Sequence, residues 1–425
     1  MFKKIMALVL TVCMMASLAV AFAGCNGNNG ETQPGGTKTT LKVGAILIGN
    51  EGEGYTKAHM DGITGAIDAL KAEGYDITIT WRKDVPEGSD VKVKAEELIA
   101  AGCEVIITNS YGHQFHLDTL PEDYPEVPFI CMTGDLAAGS EAENDYNAFT
   151  RVFESRYVSG VVAGLKLKAL VEAGTLTKEL VPTAFDTDGN IKIGYVGAFN
   201  YQEVVSGYTA FYLGVKSVVE NVAMTVKYTN SWFDIERESE AAKFLMAEGC
   251  VVIGQHADST GAPIAVQTEY DNSQKLCFSV GYNISMLGVA EDVALTSATN
   301  NWSVYYTDMF RAVLKGESIP QDWAKGYADG AVAITELGSA CAAGTQNYVE
   351  DVIEDIKSGE LKVFDCSKFS VNGEHLNTYT RAYNMNGAEC LKTENGVTYF
   401  DESALRAAPY FDIRIDGITE IAFEE

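Results

Sequence analysis

The sequence predicts a two-lobed α/β protein in which each lobe is a Rossmann-like fold built on a parallel sheet. Short apolar runs bounded by glycine or polar residues alternate with segments of helical periodicity, an alternation typical of βαβ units. The same alternation of strands and helices occurs twice, over residues 41–110 and again over residues 191–254. The length of 425 residues leaves room for two such lobes joined by a hinge.

The first half of the chain gives strand, helix, strand, helix and strand in that order. An apolar run at 41–48 precedes a helix predicted over 56–73, whose apolar residues recur at helical spacing. An alternating strand follows at 77–81, then a helix at 90–101 and a buried strand at 105–108.

The second half repeats this order. Its predicted elements are strands at 191–196, 224–228, 251–254 and 275–280 and helices at 204–219 and 236–248. We therefore predict lobe 1 over residues 41–185 with part of 285–325, and lobe 2 over residues 186–284 with 326–425.

The amino terminus has the pattern of a secretion signal. A short positive start precedes an apolar run at 5–22, which is followed by Ala-Gly-Cys25. A cysteine directly after Ala-Gly resembles the bacterial lipobox, in which the cysteine is diacylated and becomes the new amino terminus. We predict a signal peptide over residues 1–24, a lipid-anchored flexible tether over 25–40, and a place on the extracytoplasmic face of the cell membrane.

Charge and cysteine usage exclude several classes of function. The formal net charge is −28 and no basic stripe occurs, which argues against a nucleic-acid partner. The nine cysteines form no CxxC pair and have no histidine at zinc-ligand spacing, so we predict no metal site and no cofactor. The sequence leaves open whether Cys366 and Cys390 form a disulfide. Four cysteines in apolar segments are predicted core residues: Cys103, Cys131, Cys250 and Cys277.

Aromatic residues stand beside amide, carboxylate or imidazole groups after nearly every predicted strand. In open α/β sheets ligands bind at the carboxyl ends of the strands. Aromatic faces stack on a flat heterocycle and polar groups hydrogen-bond to its edge. Each aromatic taken singly is equally well explained by loop packing, so the prediction rests on their recurrence in both halves. The predicted ligand-binding residues are Tyr55, His59, Asn109, Tyr111, Phe199, Glu203, Trp232, His256, Asp258, Asn283 and Trp302.

No enzyme signature is found. The sequence lacks the GxSxG, HExxH, Walker and strand-linked GxGxxG motifs. His256 and Asp258 have the spacing of a base and its orienting carboxylate, but no nucleophile stands at a matching motif position. We predict that the chain is not an enzyme, although a pair of catalytic carboxylates brought together by the fold stays open.

Several of these loops resemble the basic membrane protein family, the substrate-binding lipoproteins of ABC importers that include purine nucleoside receptors. The similar stretches are 54–59, 106–112, 147–157, 193–204, 230–234 with 240–242, 255–258, 295–297 with 301–302, and 326–330. The resemblance implies a type I periplasmic-binding fold, in which two lobes joined by three crossovers close on the ligand. It implies a purine-like ligand, a permease and an ATPase as partners, and a monomeric receptor. It also adds Glu154, within 147–157, to the predicted ligand-binding residues.

Two departures from the family pattern bear on the ligand. Nucleoside receptors of the family have an aspartate where this chain has Asn283, and a lysine where it has Asn300. In the family these charged residues engage the sugar hydroxyls, so their loss favours a free purine base over a nucleoside. A receptor that feeds a sensor and an extracellular nucleoside hydrolase stay open as alternatives to transport.

Overall fold

The computed structural model describes residues 38–117, 119–381 and 387–423. Cys25, the predicted signal peptide and most of the predicted tether lie outside the described residues. Within the described ranges, none of the helices is both long and apolar enough to cross a membrane.

The predicted alternation of strands and helices is confirmed. The helices are α1 (Gly54–Ala72), α2 (Asp90–Ala100), α3 (Leu120–Asp123), α4 (Val152–Glu172), α5 (Gln202–Lys216), α6 (Ile235–Ala247), α7 (Gly261–Ser273), α8 (Trp302–Lys315) and α9 (Thr345–Ser358). The strands are β1 (Thr40–Ile46), β2 (Asp76–Arg82), β3 (Val105–Thr108), β4 (Phe129–Met132), β5 (Asp145–Thr150), β6 (Ile191–Gly197), β7 (Val222–Tyr228), β8 (Val252–Gln255), β9 (Phe278–Tyr282), β10 (Ala294–Asn300), β11 (Asp322–Lys325), β12 (Val332–Ile334), β13 (Thr380–Arg381), β14 (Ala388–Glu389), β15 (Leu391–Glu394), β16 (Val397–Phe400) and β17 (Ile418–Ile421).

The first sheet has six parallel strands in the order β2-β1-β3-β4-β5-β11. On one face α1 and α8 pack together, and Ile63 and Phe310 join the buried residues of β1. On the other face Val91 and Leu98 of α2 pack against Ile106 of β3. Both faces are therefore covered, as burial of a parallel sheet requires.

The second sheet has seven strands in the order β12-β10-β9-β8-β6-β7-β17. All neighbours are parallel except β12, which runs antiparallel to β10. Helices α4 and α5 pack against each other, as do α6 and α7, and all four contribute to the large core around this sheet.

Helix α4 belongs to the second sheet, which corrects the predicted span of lobe 1. A Cβ on Gly160 of α4 would lie 2.1 Å from the Phe211 carbonyl oxygen, and one on Gly214 of α5 would lie 2.0 Å from the Tyr157 carbonyl oxygen. Only glycine at these two positions lets the helices approach so closely. The chain therefore leaves lobe 1 just after β5, and the predicted boundary at residue 185 is wrong because it lies beyond α4.

Three crossovers join the two sheets. The chain passes from β5 to α4, returns from β10 to α8, and leaves again between β11 and β12. Two of the crossovers are tied together, because the Thr150 hydroxyl at the end of β5 donates a hydrogen bond to Asn300 Oδ1 at the end of β10. This arrangement is the type I periplasmic-binding fold that the resemblance implies.

The carboxyl-terminal part of the chain completes lobe 2. Helix α9 packs on α4, and β17 adds a parallel strand beside β7, with Ile418 opposite Met224. Cys366 and Cys390 are separate, buried thiols in this region, so they do not form a disulfide in the structure. The four predicted core cysteines are all buried, as expected.

Candidate functional site

A cavity lies between the carboxyl edges of the two sheets. Lobe 1 supplies Ile48, Glu53, Tyr55, Asn109, Ser110, Tyr111 and Thr133, and lobe 2 supplies Glu203, Trp232, His256, Asp258 and Tyr282. All of these residues follow or end strands of the two parallel sheets, where ligands of open α/β folds bind.

The wall from lobe 1 is held by Glu53 and Asn109. Glu53 caps α1, since its carboxylate accepts the Thr56 N–H at 3.1 Å. Asn109 accepts the Ile48 N–H at 2.8 Å and donates to the Thr56 hydroxyl at 3.2 Å, which ties the ends of β1 and β3 to α1. These bonds fix the loop that presents Tyr55 to the cavity.

An aromatic cluster forms part of the wall from lobe 2. The ring of Trp232 lies 5.0 Å from that of Phe199 and 6.0 Å from that of Tyr201. Phe199 and Tyr201 stack on each other at 5.2 Å. The cluster holds the indole of Trp232 at the cavity, where its apolar surface is available to a flat ligand.

His256 and Glu203 form a buried polar pair beside this cluster. His256 Nε2 hydrogen-bonds Glu203 Oε1 at 3.1 Å. Burial and the nearby Arg156 guanidinium lower the pKa of His256 to about 4, although Glu203 acts in the opposite direction. The imidazole is therefore neutral at pH 7 and adds no positive charge to the cavity.

Asp258 is a buried acid of the cavity wall. Asn283 Nδ2 donates to its Oδ1 at 2.6 Å, and the residue is only 7% exposed. Burial raises the pKa of the Asp258 carboxyl well above its usual range, and the carboxyls of Glu53 and Glu238 raise it further. Burial without a paired cation thus favours either protonation or a ligand that donates hydrogen bonds.

The nearby cation, Arg156, is already engaged by lobe 2 itself. Its guanidinium lies 3.5 Å from the ring centroid of Tyr282 and donates from Nη1 to the Tyr195 hydroxyl at 2.9 Å and to the Gln255 carbonyl at 2.5 Å. Arg156 therefore builds the floor behind the cavity. Three carboxyl groups, those of Glu53, Glu203 and Asp258, lie at the cavity wall.

Seven of the twelve predicted site residues line the cavity: Tyr55, Asn109, Tyr111, Glu203, Trp232, His256 and Asp258. Phe199 and Asn283 lie one layer behind it, in contact with Trp232 and Asp258. Both act on the cavity through those neighbours.

The other three predicted residues lie elsewhere. His59 and Trp302 are buried between α1 and α8, where their rings stack at 4.4 Å and His59 Nδ1 hydrogen-bonds the Tyr306 hydroxyl at 2.7 Å. Glu154 pairs with Arg151 at 2.9 Å and accepts the Tyr327 N–H at 2.7 Å, next to the third crossover. They serve packing and the hinge region, which corrects their predicted place in the cleft.

Five lining residues were not among the predicted ones: Ile48, Glu53, Ser110, Thr133 and Tyr282. Ser110 and Tyr282 adjoin predicted residues, and Ile48 and Glu53 lie in the segment between β1 and α1 that precedes Tyr55. Their position after a strand indicated them, whereas their residue type did not. Thr133 follows β4, whose loop has no aromatic residue beside a polar one and gave no signal.

The arrangement is suited to binding. Hydrogen-bond acceptors, neutral imidazole and aromatic faces converge on one enclosed space, as in sites that recognise small polar rings. Among residues 38–117, 119–381 and 387–423, no group of three or more His, Cys, Asp or Glu side chains is placed to hold a metal ion.

Comparison with known proteins identifies the family. Residues 49–368 match the family of PnrA-like ABC transporter substrate-binding proteins. A purine-binding protein of Brucella abortus (strain 2308) is 32% identical over 325 residues, which are 76% of this chain and 83% of that protein. A Haloferax volcanii protein with the provisional name of ABC transporter glucose-binding protein is 28% identical, over 80% of this chain and 78% of its own length.

The fold has solved counterparts. An ABC transporter solute-binding protein from Aeropyrum pernix K1 superposes with a TM-score of 0.60 at 15% identity, covering 79% of this chain and 94% of that one. This likeness shows the fold, and the match over residues 49–368 shows the family. The chain therefore belongs to the basic membrane protein family of PnrA-like ABC transporter substrate-binding proteins, as its strand-end loops predict.

Proposed function

We propose that the protein captures a purine-like heterocycle in the cavity between its lobes, and that it prefers the free base to the nucleoside. The observation behind this proposal is that the ring of Trp232 and the carboxyl of Asp258 face one enclosed cavity. An aromatic face beside a buried acceptor suits a flat ring that carries N–H groups on its edge. The purine-binding name of the Brucella relative supports the same ligand class.

The carboxyl groups of the cavity favour a ligand rich in hydrogen-bond donors. Glu53, Glu203 and Asp258 line it, whereas Arg156 is held by Tyr195 and the Gln255 carbonyl. Each of these carboxyls makes a hydrogen bond with the protein, and its remaining oxygen lone pairs are available to donors on the ligand. The ring and exocyclic N–H groups of adenine or guanine are such donors.

The environment of Asn283 and Asn300 supports a base. Asn300 Nδ2 lies 3.3 Å from Asn283 Oδ1, and Asn283 in turn donates to Asp258. Both amides are uncharged, buried and bound to protein groups, so neither offers to ribose hydroxyls the charge found in the nucleoside receptors. This agrees with the preference for a base that the two departures from the family pattern favour.

Binding tests decide the ligand class. Mass spectrometry of compounds that co-purify with the protein, followed by calorimetry with adenine, guanine, adenosine and glucose, is expected to rank a free base first. Trp232→Ala removes a stacking partner worth on the order of 1–3 kcal/mol, and we expect at least tenfold weaker binding. Asp258→Ala is expected to weaken binding by a similar factor. Phe233→Ala is the matched control, because Phe233 is an exposed neighbour of Trp232 that does not line the cavity.

The opposite results would overturn the purine proposal. Tight binding of glucose with no response to purines would assign a sugar ligand. Release of free base from adenosine by the purified protein would assign a hydrolase instead of a receptor.

We further propose that the protein acts as a monomer, anchored through a diacylated Cys25 on the extracytoplasmic face, and delivers its ligand to a permease driven by an ATPase. The lipobox-like Ala-Gly-Cys25 supports the anchor. Cys25→Ser in a bacterial host is expected to release the protein from the membrane fraction, and retention of this variant would contradict the anchor. Loss of purine uptake on deletion of a neighbouring permease gene tests transport against sensing.

A further inference from the structure

One loop of the carboxyl-terminal region reaches from lobe 2 to lobe 1. We call residues 402–409 the tail loop; they lie outside residues 49–368, the part of the chain that matches the family. Arg406 of the tail loop is 6% exposed, and its partner Asp135, which follows β4 of lobe 1, is 5% exposed. A buried ion pair thus joins segments that are 271 residues apart in sequence.

The guanidinium of Arg406 is held in a fixed position. Nη1 donates to Asp135 Oδ2 at 2.5 Å, while Nε and Nη2 donate to the Ala408 and Pro409 carbonyls, each at 3.1 Å. The loop therefore curls around its own arginine and presents one charged edge to lobe 1. Such preorganisation lowers the entropy cost of forming the ion pair.

Asp135 connects the pair to the ligand cavity. Its Oδ1 accepts a hydrogen bond from Gln114 Nε2 at 3.2 Å, and its Oδ2 lies 3.3 Å from the donating hydroxyl of Tyr111. Tyr111 lines the cavity. Movement of Asp135 is therefore transmitted to a side chain that faces the ligand.

Ala407, the next residue of the tail loop, contacts both lobes. The Ala407 N–H donates to Asp322 Oδ2 of β11 at 2.7 Å. Its methyl group packs in a small cluster with Phe149 from lobe 1 and Tyr282 from lobe 2. The tail loop thus touches both lobes beside the cleft.

A second space adjoins the ligand cavity and is bounded by the tail loop. It shares Tyr111, Thr133, Glu203 and Trp232 with the cavity. Its remaining wall includes Arg406, Ala408 and Pro409. A ligand that leaves on this side has to pass the tail loop.

We propose that the tail loop is the outer wall of the ligand cleft and that the Arg406–Asp135 ion pair latches the two lobes in the closed state. Opening on this side separates the two buried charges, which is costly when neither finds a new partner. A contact made only in the closed state shifts the lobe equilibrium towards closure and slows ligand departure. The effect on ligand departure rests on the proposed function, whereas the effect on lobe closure does not.

The test compares variants of each partner in the full chain without its signal peptide. Arg406→Gln and Asp135→Asn each remove one charge while keeping side-chain shape. We expect each to increase the radius of gyration of the ligand-free protein in small-angle X-ray scattering. We expect each to speed adenine dissociation at least tenfold in stopped-flow experiments, with little change in the association rate. We expect the double variant to release adenine no faster than the faster of the two single variants, because both substitutions remove the same contact.

Arg381→Gln is the matched control. Arg381 is also a buried arginine of the carboxyl-terminal region, 9% exposed, but its partners, Asp412 at 3.2 Å and the Tyr410 carbonyl at 2.7 Å, lie in that same region. It is expected to lower the melting temperature while leaving the radius of gyration and the dissociation rate at their wild-type values.

Two outcomes distinguish a latch from a contact that only supports packing. If Arg406→Gln and Asp135→Asn behave like Arg381→Gln, with lower melting temperature only, the ion pair supports packing and the latch proposal is wrong. If adenine binds neither the wild type nor the variants but both ligand-free variants still expand, the purine proposal fails and the latch stands. Should one variant not fold, the other partner's variant gives the same readout.

Discussion

The backbone N–H of Gly54, the first residue of α1 in lobe 1, donates a hydrogen bond across the cleft to the carbonyl oxygen of Asp258 in lobe 2 at 3.3 Å. The two residues flank the ligand cavity, which Asp258 lines directly. A Cβ built on Gly54 would lie 3.1 Å from the same carbonyl oxygen and 3.5 Å from Ile284. A side chain at this position therefore has to be accommodated between the two lobes.

Gly54→Val is expected to weaken adenine binding about tenfold or more, because the branched side chain holds the lobes apart where they meet. The melting temperature of the ligand-free protein is expected to change little, since the open lobes do not make this contact. Calorimetry and thermal unfolding measure the two quantities.

Gly65→Ala is the control for a new side chain in the same helix. Its Cβ would meet Ser303 at an ordinary 3.5 Å, on an exposed face away from the cleft. It is expected to keep wild-type affinity. Equal affinity of Gly54→Val and wild type would mean that closure does not bring these two residues together.

Much of the fold follows from periodicity in the sequence. Parallel strands buried on both faces read as continuous apolar runs, such as Val105–Thr108, and the helices between them repeat at helical spacing. The placement of α4 could not be read in this way. Its burial on nearly all sides gives no apolar stripe that points to one sheet, and its partner is decided by the glycine contacts with α5.

The sequence predicts which strand ends form the site, but it does not predict which side chains at those ends face the cavity. His59 and Trp302 have the same aromatic and polar neighbours as cavity residues, yet His59 shares a helical stripe with the core residue Ile63 and turns inward. Tyr282 and Asn283 are adjacent, and only the structure tells which of them faces the cavity. The Arg406–Asp135 pair has no local signal, because periodicity cannot relate residues so distant in sequence.

Ligand binding is expected to change the fluorescence of one tryptophan. Trp232 lines the cavity, whereas Trp302 is 1% exposed and stacked on His59. Adenine should therefore quench or shift the emission of Trp232, and Trp232→Phe should remove most of the signal. Trp302→Phe should keep it. A signal that survives Trp232→Phe and disappears with Trp302→Phe would place the ligand near α8.

Substitutions at Asn283 and Asn300 are expected to change the preference between a nucleoside and a free base. Asn283→Asp puts a second carboxylate against Asp258, at the present 2.6 Å contact, so we expect lower stability and weaker base binding from like-charge repulsion. Asn300→Lys adds an ammonium group beside the new carboxylate, since Asn300 Nδ2 now lies 3.3 Å from Asn283 Oδ1. The double variant is expected to recover stability and to raise the affinity for adenosine relative to adenine.

Thermal unfolding and calorimetry of the single and double variants measure both effects. Asn301→Lys is the control for an added charge, because Asn301 is exposed and points to the Gly330 carbonyl. An unchanged ratio of adenosine to adenine affinity in the double variant would show that these positions do not face a sugar, and would remove this reason for preferring a base.

The buried carboxyl of Glu238 is expected to make stability fall as pH rises. Glu238 of α6 is fully buried beneath the 255–259 loop, where it accepts the Ser259 N–H at 3.2 Å and the Asp234 N–H at 3.1 Å. Burial raises the pKa of this carboxyl from 4.5 to about 7. The folded protein therefore binds one proton more than the unfolded chain between these pH values.

The sign and size of the effect follow from this difference. The stabilising contribution of the protonated carboxyl is complete below pH 4.5 and is lost as pH rises to about 7, a decline on the order of 3 kcal/mol. Glu238→Gln stays neutral at every pH and should lack this decline. Urea unfolding between pH 4.5 and 8 is expected to give curves for wild type and variant that converge at the acidic end and separate with rising pH. The exposed Glu240→Gln on the same helix should follow wild type. Parallel curves for Glu238→Gln and wild type would mean that the carboxyl is ionised in the folded protein across the whole range, and that the two backbone N–H groups outweigh its burial.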